Sequence, residues 1–201
     1  MAVCDLSWPI IRCLVKCFND KTLEEYISNC YKILSGTASD FVIRMIVHIC
    51  LSHSMKMMSV KAKKFFKKRE IKRFIMYCCS VFVNSTSLKE YKECIKHFFT
   101  ILASEKVSSD VRVSITWFEE KMSTLGLSAD EIKEEERSNE NDESLINEFE
   151  NIAFEDVRSC KRSTFYLDAK DIFDEICANQ SVQEEEDNIY HSKEFLIYLI
   201  T

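Results

Sequence analysis

Apolar residues recur along most of the chain at intervals of three and four, the spacing that puts them on one face of a helix. Ser7 is read as the cap of a first helix, with Pro9 in its opening turn and Ile10, Leu14, Cys17 and Phe18 on one stripe. Thr22-Leu23-Glu24-Glu25 is a capping box. After it Leu23, Tyr26, Ile27, Cys30, Tyr31 and Leu34 keep the helical interval until Gly36, which stands where a left-handed stop belongs. Ser39 or Asp40 opens a third helix carrying Phe41, Val42, Met45, Ile46, Ile49 and Cys50. Ser59 caps a fourth, whose broad stripe holds Phe65, Phe66, Ile71, Phe74, Ile75, Cys78 and Phe82. Ser87–Glu90 is a second capping box, followed by Leu88, Tyr91, Ile95, Phe98, Phe99 and Leu102. Val111, Ile115, Phe118, Met122 and Leu125 form a sixth stripe that Gly126 ends. The expected fold is therefore all-α: a compact multi-helix bundle or orthogonal helix array, with an acidic, partly flexible C-terminal helical arm.

The pattern thins after Gly126. Ser128–Glu131 is a further capping box, and Arg137 to Ser144 contains no apolar residue and reads as a linker. Amphipathic pieces then return around Leu145, Phe149 and Ile152, around Ile172, Phe173, Ile176 and Cys177, and around Phe195–Ile200, while Ser163–Leu167 reads as extended. The expected organisation is a helical core over 1–126 containing a basic helix at 56–73, an acidic helix and linker over 127–144, and an acidic arm over 145–201. A 1–126 fragment is expected to fold by itself.

Composition narrows the chemistry. Two glycines and one proline in 201 residues leave no material for a P-loop, a dinucleotide fingerprint or a nucleophile elbow, each of which needs closely spaced glycines. Ten cysteines on a chain whose first residues lack a basic, apolar export signal read as reduced thiols, so a cytoplasmic location is expected, with nuclear entry as an extension. The longest apolar run, Phe41 to Leu51, is about half of what a bilayer requires, so no transmembrane segment is expected. Four histidines without a His-Glu-x-x-His or a glycine-framed serine give no catalytic constellation, and the protein is read as a non-enzyme without cofactor.

Charge adds the strongest signal. The net charge of −6 divides into 20 basic against 12 acidic residues over 1–126 (+8) and 7 against 21 over 127–201 (−14). The window 56–73 alone holds nine bases and one acid, Glu70. Lys61, Lys63, Lys64, Lys67, Lys68, Arg69, Lys72 and Arg73 on one helix would track the phosphates of RNA without sequence preference, through counterion release. Phe65, Phe66, Phe74 and Tyr77 lie among them at helical spacing, which favours core burial over base stacking. A solvated face neutralised by the acidic third, and a nuclear-localisation segment over Lys63–Arg69, are the competing readings.

Two Cys-x-x-His units, Cys50/His53 and Cys94/His97, have the ligand types of a Cys₂His₂ zinc site, but no glycine turn shapes a knuckle and both cysteines adjoin apolar stripes. They are read as buried thiols beside ordinary histidines, with no metal expected. In the acidic third, Tyr166 to Asp171, with Tyr166 and Asp168 as its key residues, resembles the core of the motif that binds ER-resident VAP proteins. Asp171 to Ile176, with Phe173 and Ile176, resembles an autophagy-receptor motif. Both fit equally well as helix faces packed on the bundle.

A Gly- and Pro-poor, helix-rich body over 1–126 with the basic run Lys61 to Arg73 resembles the helical RNA-silencing suppressors of closterovirus-type plant viruses. The resemblance implies an all-α accessory protein that binds RNA through a basic surface and withholds it from host silencing. The alternative is an adaptor whose acidic C-terminal third recruits a host protein while the basic helix only docks that arm. Homo-oligomerisation is compatible with either.

Overall fold

Local capping explains most of the helices in the computed structural model, which describes residues 2–4, 8–37, 43–126, 163–178 and 186–200. Helix α1 spans Trp8–Asn19 and α2 spans Leu23–Leu34. At the start of α2 the Thr22 hydroxyl accepts from Glu25 N–H at 3.2 Å, and Glu25 accepts from Thr22 N–H at 2.8 Å. Gly36 ends this helix at φ 68°, a conformation that costs a side chain with a Cβ but not glycine. Then come α3 (Leu51–Phe65), α4 (Arg69–Val83), α5 (Leu88–Ala103), α6 (Ser109–Thr124), α7 (Thr164–Ala178) and α8 (Lys193–Ile200). The all-α expectation holds. The strands among the described residues are two three-residue pieces, β1 (Ala2–Cys4) and β2 (Val47–Ile49), paired in parallel with Val3 opposite His48.

The chain forms two compact units. The first holds the described residues up to Met57 together with 163–168; the second holds 58–126, 169–178 and 186–200. The boundaries fall inside α3 and inside α7.

In the first unit Ile11, Val15, Leu23 and Tyr26 form the core, with Ile27, Cys30, Ile43 and Val47 packed against it. Here two expectations fail. The face of α1 read as apolar is turned outward, with Ile10 49% and Phe18 45% exposed, while Ile11 and Val15 are buried. Both faces of α1 carry apolar residues, and the shorter pair wins because α2 and β2 offer it partners. Nor is there a helix over 43–50. Buried Asn19 bonds both sides of Met45, its Nδ2 donating to Met45 O and its Oδ1 accepting from Met45 N–H, each at 3.0 Å. Tyr26 Oη accepts from Val47 N–H at 3.0 Å. These bonds hold the backbone extended and feed it to β1, a conformation suited to β-branched Ile46, Val47 and Ile49.

The second unit is built on Phe118, Ile75, Ile101, Leu102, Val111, Cys78, Cys94, Phe195 and Leu196, all fully buried. Phe118 meets Phe74, Phe98 and Trp117 edge-on. The segment before α8 fastens to the end of α5. Asn188 Nδ2 donates to Ile101 O (2.7 Å) and Ser104 O (2.8 Å), its N–H donates to Glu105 O, and Ser192 N–H donates to Leu102 O. Carbonyls that a helix end leaves orphaned are thus satisfied from far along the chain.

Three local readings need correction. The fourth helix does not begin at Ser59, which lies within α3, and the stripe from Phe65 to Phe82 is broken at 66–68. Glu90 does not complete its box on Ser87; it accepts instead from the N–H and hydroxyl of Thr86. Residues 164–167 are helical rather than extended, with Ser163 Oγ accepting from Tyr166 N–H at 3.2 Å. The readings at Ser128–Glu131, Arg137–Ser144 and Leu145, Phe149 and Ile152 lie outside the described residues.

Candidate nucleic-acid interface

The basic segment is not one helix. Lys63 and Lys64 occupy the last turn of α3, where cations meet the negative end of the helix dipole. The chain then turns through Phe66, Lys67 and Lys68, and α4 begins at Arg69. A continuous helix would have stacked Lys64, Lys68 and Lys72 at intervals of four, where like charges repel. The break relieves that repulsion. It also lets Phe66, 5% exposed, turn inward against Phe195 at 5.2 Å between ring centroids, with Phe65 on the same ring at 5.5 Å.

The corner therefore has an apolar root and a basic rim. Lys63, Lys64, Lys67, Lys68 and Arg69 are exposed, five cations in seven residues with no acid among them. Lys68 is the N-cap of α4 and makes no side-chain cap bond, since an ammonium cannot accept from the N–H groups behind it. Positive side chains and the positive end of a helix dipole thus face the same solvent, an arrangement that favours an anion. Lys72 and Arg73 are half-buried. Lys61 is only 9% exposed, so it belongs to the packed side of α3 rather than to a phosphate-tracking face. The aromatics are core residues: Tyr77 is buried, and Phe74 lies on Tyr190 at 4.5 Å.

No family model, curated protein or solved structure matches the chain. The site has to be read from its own chemistry.

The two Cys-x-x-His units fall in different compact units. Cys50 precedes α3, and its thiol is held below its ordinary value, first by a side-chain hydrogen bond with His53 and then by the N–H groups of His53 and Ser52. Cys94 is buried beside Cys78 and Cys79, and burial pushes the Cys94 and Cys79 thiols up to about 12. His97 bonds Ser114 Oγ at 3.0 Å and stacks on Trp117, and burial lowers its basicity. Among the described residues no three metal-ligating side chains converge.

The short-motif residues all lie on α7. Asp168 accepts a hydrogen bond from Tyr31 Oη at 2.5 Å, and Phe165 packs edge-on to Tyr31. Phe173 meets Phe99 edge-on, while Tyr166 and Ile176 are half-buried. Extended-peptide recognition would require this helix to unwind.

Sequence reasoning passed over two features. Phe195 anchors the corner from 130 residues away, which no local spacing could indicate. Cys13 and Cys17 face one another on α1, and their Cys-x-x-x-Cys interval was the available signal.

Proposed function

We propose that the protein is a non-enzymatic RNA-binding protein that grips phosphates with Lys63, Lys64, Lys67, Lys68 and Arg69. The observation that carries this reading is the turn between α3 and α4, where five exposed cations surround an uncapped helix start and are held in place by Phe65 and Phe66. Such a corner contacts backbone rather than base edges, so binding is tolerant of sequence. The resemblance to silencing suppressors gives it a use, the sequestering of RNA. No helix of the described residues is long and apolar enough to cross a membrane.

Five neutralised phosphates on a duplex give a slope of log K against log salt near −4.5, and a loss of affinity on the order of 500-fold between 50 and 200 mM. Fluorescence anisotropy with labelled duplex RNA measures both. Combining Lys63→Glu, Lys64→Glu, Lys67→Glu and Lys68→Glu should abolish binding and leave helical circular dichroism intact. Unchanged binding by that variant sinks the proposal.

A further inference from the structure

Helix α1 carries two thiols on its outer face. Cys13 and Cys17 are exposed, one turn apart, with sulfur atoms 3.8 Å from one another. Two thiolates on a tetrahedral zinc ion, each about 2.3 Å from the metal, stand about 3.8 Å apart. The pair is thus already at chelating separation. Ile10, Leu14 and Phe18 share the face at helical spacing, and Ile10 and Phe18 are 49% and 45% exposed. A closed thiolate site needs four ligands, and this face supplies two of them, bordered on one side by apolar side chains. A two-fold axis through the metal supplies the other two and covers the apolar residues in the same step.

We propose that Cys13 and Cys17 of two copies of the chain bind one thiophilic divalent cation of the zinc class, forming a Cys₄ centre that joins the copies through α1. The cation displaces one proton from each of four thiols; the protons go to solvent, and no oxidation state changes. The hydrogen bond between the two sulfur atoms raises the Cys17 thiol, and the cation has to displace that proton. The centre carries a net charge of −2. Arg12 and Lys16, the neighbours of the two thiols in sequence, bring positive charge to it, although Lys16 also pairs with Asp20 at 2.8 Å. This inference is independent of the RNA reading, since it uses no residue of the basic corner.

The experiment titrates the reduced full-length chain with cobalt(II) and zinc(II), following absorbance and mass by light scattering. The expected result is half an equivalent of cobalt per chain, the intense spectrum of tetrahedral thiolate coordination, and a doubling of mass that a chelator reverses. Cys13→Ser and Cys17→Ser should each abolish both signals, and Cys177→Ser should leave them. Metal bound to a monomer, or a dimer indifferent to chelator, overturns the proposal. In the unsubstituted protein, zinc should also shield Cys13 and Cys17 from iodoacetamide, mapped by mass spectrometry. Equal labelling with and without zinc overturns it without relying on any variant.

Discussion

Glu90 holds the start of α5 and the side of α6 together: Thr86 donates to it twice, and Lys121 donates at 2.9 Å while lying over the Trp117 ring. Its carboxyl is held at about 2, because the Thr86 N–H, the Lys121 ammonium and the Thr86 hydroxyl all favour the anion. A carboxylate depressed on folding stabilises the fold above its ordinary value of 4.5 and stops doing so as pH falls toward 2. Glu90→Gln should therefore flatten the dependence of the urea midpoint on pH between 4.5 and 2. It should leave unchanged the contribution of half-buried His97, whose basicity burial lowers and whose share of stability is lost as pH falls below about 6.5. A variant that keeps the full acid limb would show that other carboxylates carry it. At Cys50 the shift runs the same way, since the hydrogen bonds with His53 and the N–H groups of His53 and Ser52 favour the thiolate, the nucleophilic form. Iodoacetamide should label Cys50 at lower pH than Cys177, whose thiol is raised by partial burial. His53→Ala should move the Cys50 profile upward, and an unmoved profile would remove His53 from the account.

Helix α8 places Phe195 and Leu196 in the core of the second unit and clamps the basic corner through Phe65 and Phe66. Phe195→Ala should cost about 3–5 kcal/mol, read from the shift in the urea midpoint, and should weaken RNA binding without altering any charge. A large destabilisation with unchanged RNA affinity would show that the corner holds itself. Most helices were legible because their signals are local: the Thr22–Glu25 box, the Ser87 cap, and the stops at Gly36 and Gly126 all form. What escaped depends on distant partners. The strand at Val47–Ile49 exists because Asn19 and Tyr26 reach it, and periodicity could not separate its β-branched run from a helix face. The outward turn of Ile10 and Phe18 follows from which side of α1 meets α2, a tertiary fact. The basic residues were found as a cluster, but the turn that sharpens them comes with the packing of Phe65 and Phe66 against Phe195, and Lys61 is buried on α3.

At the scale of the molecule, residues 186–200 belong to the second unit as fully as α4, α5 and α6 do. A 1–126 fragment, expected from sequence to fold by itself, would expose the surface that Phe195 and Leu196 cover and leave the end of α5 without Asn188. Its melt should lose cooperativity, and a peptide of residues 186–200 added in trans should restore part of it. A sharp melt by the fragment alone would make the C-terminal contacts dispensable. The same dependence sets a timetable for biosynthesis. The ribosome emits α3 to α6 well before the residues that complete their core; crossing residues 127–185 takes roughly 3–12 s at ordinary elongation rates. Throughout that interval the nascent chain offers a hydrophobic face to chaperones, and its basic corner lacks the ring that sets it. On the RNA-binding function proposed above, the chain would therefore be slow to seize the message from which it is being translated.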